Sequence, residues 1–150
     1  MNINITTNKK TRDVLVQIKD LSKNSQEGIK EGFERMGSGL VRTFQNQILN
    51  EPKFGNNYRV RDEDGVVRIH RASAPKQTPA LLTGDYFEKV FSKPHGANGL
   101  EFGNASEHAS YLELGTKHMK ARPGLFNAIK HDLKNNRLYL QESMDKHIRS

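Results

Sequence analysis

Tyr111-Leu-Glu-Leu-Gly-Thr-Lys-His-Met-Lys-Ala-Arg-Pro-Gly-Leu125 is the stretch around which the rest of the chain falls into place. Its pattern predicts a helix end (Tyr111 to Leu114) stopped by Gly115, then a short basic loop, then a helix restart at Pro123. Glycine is favoured just past a helix C-terminus because it accepts backbone angles that a Cβ resists. Proline suits a helix start because the N–H it lacks has no partner there. The stretch reads as a joint between helices, and it contains no catalytic motif.

On its C-terminal side, Ile129, Leu133, Leu140, Met144 and Ile148 lie close to a 3.6-residue period. One helix is expected from Leu125 to about Ile148, with a weaker join at Asn135-Asn136. On its N-terminal side, Leu81-Leu-Thr-Gly84 reads as a turn carrying Thr83 and Gly84, and Asp85 to Phe91 as a helical turn or a strand. The loop Pro94 to Gly99 leads to a short strand, Leu100-Glu-Phe-Gly103. Together these suggest a hairpin with one apolar face, made of Phe87 or Val90 with Leu100 and Phe102. Asn104-Ala-Ser106 is expected to cap a short helix from His108 to Leu114.

Residues 53–80 read as a polar arm. Tyr58-Arg-Val-Arg61 and Val66-Val-Arg-Ile-His-Arg71 flank Asp62-Glu-Asp-Gly65, and an Asp-Gly pair between strand-like runs is a hairpin signal. Its side chains are basic: Arg59, Arg61, Arg68, His70 and Arg71. Ala72 to Pro79 follows as an extended linker. A hairpin of this kind is either an ordinary solvated one or a reach toward a partner chain or nucleic acid.

Before the arm, Ile29, Phe33, Met36, Leu40, Phe44 and Ile48 recur at steps of three and four. They predict a helix of about 25 residues, opened by a capping box at Asn24 and Glu27 and closed by Pro52. At roughly 1.5–3 kcal/mol for each large side chain fully buried, this stripe is the largest expected contribution to the core. Gly37-Ser-Gly39 inside it signals a close backbone approach, a bend, or a tolerated flaw. Val14, Val16 and Ile18 alternate at period two, which predicts a β-strand over 13–19.

The chain has 150 residues, which suits one domain, and 34% of them are hydrophobic, a lean core for that size. There is no cysteine, so disulfides and thiolate metal sites are excluded. Met1 to Asn8 lacks the pattern of a signal peptide, and no apolar run approaches the length of a membrane span. A cytoplasm-like compartment is expected. The net charge of +7 is uneven: residues 81–116 carry two basic against five acidic side chains, and 117–150 carry eight against three. Such asymmetry fits phosphate binding, complementary faces on neighbouring copies, or simple solvation.

Catalytic constellations are missing. Gly115-Thr-Lys117 reverses the order of a phosphate loop and lacks its upstream glycine. The six histidines contain no i,i+4 pair. No nucleophile elbow is present, and Glu107 and Glu113 lie off a common helix face. Neither an enzyme nor a cofactor is expected.

Thr83-Gly84 after Leu81-Leu82, a hairpin ending near Phe102-Gly103, Ala109-Ser-Tyr-Leu-Glu-Leu-Gly-Thr116, and Ala121-Arg-Pro123 opening a long helix form an ordered set. The set resembles the head–tail connector proteins of long-tailed double-stranded DNA bacteriophages, variously called neck, tail-completion or minor tail proteins. The matching positions after the Thr-Gly turn are Tyr111, Glu113, Gly115, Thr116, Ala121, Arg122 and Pro123. Leu114 departs from the family's aromatic, and Gly124-Leu125-Phe126 stands where a phenylalanine directly follows the proline.

The resemblance implies an α+β fold, with a small antiparallel sheet wrapped around a long N-terminal and a long C-terminal helix. It implies a non-catalytic virion protein, assembled in the bacterial host cytoplasm. Six or twelve copies would form a ring in the phage neck. A portal, adaptor or head-closure protein would lie on one side, and a tail terminator or tail tube on the other. Genomic DNA would pass through the channel without sequence-specific binding, and no membrane would be involved. On that basis the acidic 81–116 and basic 117–150 regions are candidate subunit faces, and the basic hairpin, Lys117 and Lys120 are candidate partner contacts. Glu113 is expected to be either a packing or salt-bridge residue, for instance with Arg122, or a contact to a partner. A non-catalytic nucleic-acid-binding protein and a tail terminator of the same assembly class remain the alternatives.

Overall fold

Nothing between Lys9 and Glu27 can stop a helix, since the run contains neither glycine nor proline. The computed structural model, which describes residues 9–149, accordingly shows one 42-residue helix, α1, from Lys9 to Asn50. The expected strand over 13–19 is therefore helical, and Asn24 and Glu27 lie inside the helix instead of capping it. The period-two reading failed because Val14, Ile18 and Leu21 also fit a helical i, i+4, i+7 spacing, which the following residues continue. The reading of Met1 to Asn8 lies outside the described residues.

Seven further elements follow. They are β1 (Asn57–Arg61), β2 (Val67–Arg71), α2 (Asp85–Glu88), β3 (Val90–Pro94), β4 (Leu100–Asn104), α3 (Ala109–Leu114) and α4 (Gly124–Arg149). The fold is α+β, with two long helices and two separate two-stranded antiparallel sheets, β1–β2 and β3–β4. α4 runs through Asn135-Asn136 without a break. Among the described residues, no helix is long and apolar enough to cross a membrane.

α1 and α4 pack antiparallel, and glycine makes the packing close. A Cβ placed on Gly32 would lie 3.0 Å from the Leu140 Cα, and one on Gly28 would lie 3.0 Å from the Met144 Cα. Leu140 and Met144 lie opposite those glycines, whereas the buried residues of α4 are small or polar. They are Gly124, Ala128, Asp132, Asn136 and Ser143. The expected apolar stripe is thus offset: Ile129, Leu133 and Ile148 are exposed, and Leu140 and Met144 are half-buried. Two of the buried polar groups have side-chain partners: Asn135 Nδ2 donates to Asp132 Oδ1 at 2.6 Å and Arg35 Nη1 to Ser143 Oγ at 3.3 Å, whereas Asn136 Oδ1 is buried without one.

Phe44, Ile48 and Ala128 form the centre of the core, with Tyr86, Phe87, Val90, Phe102 and Leu125 packed around them. The Phe44 ring meets Tyr86 at 5.1 Å and Phe102 edge-on at 6.4 Å, geometries that favour aromatic pairs. Of the predicted α1 stripe, Leu40, Phe44 and Ile48 are buried, whereas Ile29, Phe33 and Met36 are half-buried. The β3–β4 hairpin lies on α1 at Gly37, where an added Cβ would come within 2.7 Å of Ser92 Oγ. Gly39 faces the Tyr139 ring in the same way. Both glycines of Gly37-Ser-Gly39 therefore mark close approaches.

The arm divides into a free hairpin and an anchored base. Asp62 shapes the turn: its carboxylate accepts from the Val66 N–H at 2.8 Å and pairs with Arg68 at 3.0 Å. Ala72 to Pro79, expected as an extended linker, is instead tied down. Gln77 Oε1 accepts from the backbone N–H groups of Phe54 and Ala74, and Lys76 N donates to Ala121 O at 2.9 Å. Ser73 and Thr78 are buried there.

Candidate interaction surface

The joint at Tyr111 to Leu125 is held by backbone geometry and one carboxylate. Gly115 accepts φ 78° and ψ 178°, a region open only to glycine, while its N–H bonds Tyr111 O at 2.9 Å. A Cβ at that position would lie 2.7 Å from Met119 O. Thr116 closes the loop: its N–H bonds Met119 O at 2.7 Å, and its Oγ1 accepts from the N–H groups of His118 and Met119. Pro123 directly precedes α4, and its carbonyl accepts the first bond, from Asn127 N.

Glu113 crosses from α3 to the start of α4. Its Oε1 accepts from the Leu125 N–H at 2.7 Å and from the Tyr86 hydroxyl at 2.5 Å. A carboxylate at a helix N-terminus satisfies an otherwise orphaned N–H and complements the positive end of the helix dipole. Burial, and then the adjacent Glu113 carboxylate, push the Tyr86 phenol far above its ordinary range, so it stays a donor. The expected Glu113–Arg122 pair does not form. Arg122 donates its backbone N–H to Leu112 O at 2.7 Å, and its Nε is buried without an acceptor. The carboxylate is committed to the Tyr86 and Leu125 donors, which leaves Arg122 to another surface.

That surface is a cavity of about 420 Å³. His70 and Tyr58 of the hairpin, Thr83 and Gly84 of the turn, and Arg122 of the joint all line it, so the structure gathers residues from three predicted groups. Gly84 adopts φ 86° ahead of α2, and its carbonyl accepts from Glu88 N. Sequence reasoning missed the lining residues Asp85, Ser106 and His108. Asp85 Oδ2 accepts from the Ser106 hydroxyl, and Oδ1 pairs with Lys89 at 2.6 Å. The Lys89 bond, then the Ser106 bond, hold the Asp85 carboxyl below its usual range. Asp85 and Ser106 stand 21 residues apart, so no local signal in the sequence joins them.

The other predicted contacts face outward. Antiparallel register puts Arg59, Arg61 and Arg71 on one hairpin face with Val67 and Ile69, and Ile69 is 75% exposed. Arg71 Nε reaches Gly55 O at 3.4 Å, whereas Arg59 and Arg61 carry no ion pair among the described residues. Lys117 and Lys120 are exposed on the joint loop, and so are Tyr111 and Leu114. Among the described residues, no cluster of three His, Asp or Glu side chains is placed to hold a metal ion. The surface offers apolar contact and charge pairing, which are means of binding. The chain matches no protein family, no curated protein and no solved structure.

Proposed function

We propose that the protein is a structural component of the neck of a long-tailed bacteriophage. In this reading it forms a ring that joins or completes the head–tail interface around the DNA channel. One observation carries the reading. The residues that resemble the connector pattern act on one another as a scaffold: Glu113 caps α4, Gly115 and Thr116 shape the loop, and Pro123 starts the helix. The exposed surfaces around that scaffold are apolar and charged, as subunit contacts require. A portal, adaptor or head-closure protein on one side and a tail terminator or tail tube on the other are the proposed neighbours, within the virion.

Electron microscopy of the purified protein tests this. Closed rings with an axial opening are expected at high concentration and in the absence of DNA. A protein that stays monomeric at every concentration, and binds DNA with an affinity falling steeply as salt rises, would overturn the reading. That outcome favours the second reading, nucleic-acid binding, for which Arg59, Arg61 and Arg71 on one exposed hairpin face are the supporting observation.

A further inference from the structure

Among the apolar surfaces that the described residues leave uncovered, two differ in form. The first is a stripe on α1, Val14, Ile18 and Leu21, each 51–57% exposed. The same spacing runs on through Ser25, Gly28 and Gly32. Gly28 and Gly32 are buried against Met144 and Leu140 of α4. Close to that point α4 ends, with Lys146 and His147 bound to Glu31. The stripe is therefore the uncovered continuation of an existing helix–helix interface.

The second surface is a trough. The 420 Å³ cavity and a neighbouring depression of about 360 Å³ share His108 and Leu112 as lining residues. Leu81, Leu82 and Tyr111 are exposed along it. An amphipathic helix enters such a groove with anchors at i, i+4 and i+7, which is the spacing of Val14, Ile18 and Leu21. Charge agrees as well. Residues 9–24 carry five basic side chains against two acidic. The trough takes part of its lining from the hairpin and from Arg122, and the acidic groups placed to meet the cations of α1 are Glu88 and Glu107, exposed beside its lining residues.

We propose that the first half of α1 from one copy docks in the trough of the next copy. A chain cannot fill its own trough. Ile48 lines the cavity, and Ile18 lies thirty residues earlier on the same helix, ~45 Å away at the helical rise per residue. The contact joins two unlike surfaces, so repeating it in one direction from copy to copy produces a closed ring or an open filament. The proposal rests on the ring reading for its occupant, a second copy of this chain, and names the contact that builds the ring.

The absence of cysteine permits a direct test. Ile18→Cys and Leu82→Cys are prepared separately, mixed, and treated with a short bis-maleimide cross-linker. The mixture should yield covalent dimers that neither variant yields alone, and the double variant should yield a ladder. Ile18→Glu should weaken self-association about tenfold in sedimentation, with an unchanged far-ultraviolet spectrum. Ile18→Cys linking to itself as readily as to Leu82→Cys overturns the proposal. If the mixture fails to link while micrographs show rings, this contact falls and the ring reading stands. If neither rings nor links form, both fall.

Discussion

From Gly28 to Ile48, α1 is covered by α4 and by the β3–β4 hairpin, whereas Val14, Val16, Ile18 and Leu21 of the same helix are exposed to solvent. The covered part contains all four glycines of the helix, and the bare part contains none. Each interior glycine costs about 1 kcal/mol of helix propensity relative to alanine, so a run with four of them is helical because of what packs on it. The bare part has no such cost and continues a helix already nucleated. One half is thus helical through tertiary contact and the other through propagation, and side-chain changes should act on them differently.

The largest effect is expected at Phe44, which is fully buried between Tyr86 and Phe102. Phe44→Ala should destabilise the chain by about 3–5 kcal/mol in urea unfolding. A loss below ~1 kcal/mol would show that the covered half is not the centre of the core. Gly32→Ala comes next. In a bare helix this change stabilises, but here the new Cβ meets the Leu140 Cα at 3.0 Å. A loss of roughly 1–3 kcal/mol is expected, and a gain in melting temperature would mean that the helices can separate freely.

Glu31 sits at the boundary between the halves, held by His147 at 2.7 Å and Lys146 at 3.0 Å. The His147 bond, then the Lys146 bond, hold its carboxyl below the ordinary value of 4.5. A lowered folded-state value means the carboxylate's contribution is present above the unfolded value and fades as pH falls through the folded one. Glu31→Gln should therefore melt earlier than the parent at neutral pH, and the two curves should converge on acidification. Curves that stay parallel at every pH would show that the charge of Glu31 has no part in closing α4 onto α1. The smallest effect belongs to the bare half. Ile18→Ala should change monomer stability by no more than about 0.5 kcal/mol, as measured by thermal unfolding under dilute conditions.

The two long helices, both hairpins, the short α3 and the Gly115 stop were legible because each has a local signature: a 3.6 period, an Asp-Gly turn, a glycine past a helix end. The strand expected over 13–19 was not legible as a helix, because Val14, Val16 and Ile18 satisfy both periods over so short a window. The buried line of α4 was hidden for a different reason. Asp132 and Ser143 are buried beside Gly39 and Gly28 of α1, where the glycines let the helices approach, and hydropathy along α4 alone carries no trace of that. At the candidate site, Thr83, Gly84, His70 and Arg122 could be named from the sequence, but their meeting in one cavity could not. Nor could the choice Glu113 makes between Arg122 and Tyr86, which rests on a fold that brings α2 beneath α3.

The pairing of α1 with α4 also sets a timetable. Contacts such as Arg35 with Glu142 span 107 residues, whereas each hairpin closes within a few residues of itself. At synthesis rates of ~5–20 residues per second, α4 leaves the ribosome about 5–20 s after α1 is complete. Throughout that interval Leu40, Phe44 and Ile48 have no α4 to cover them. The β3–β4 hairpin forms midway and lies on α1 at Gly37. Of the two elements that pack on this part of α1, the hairpin is therefore the first to be synthesised and α4 the second.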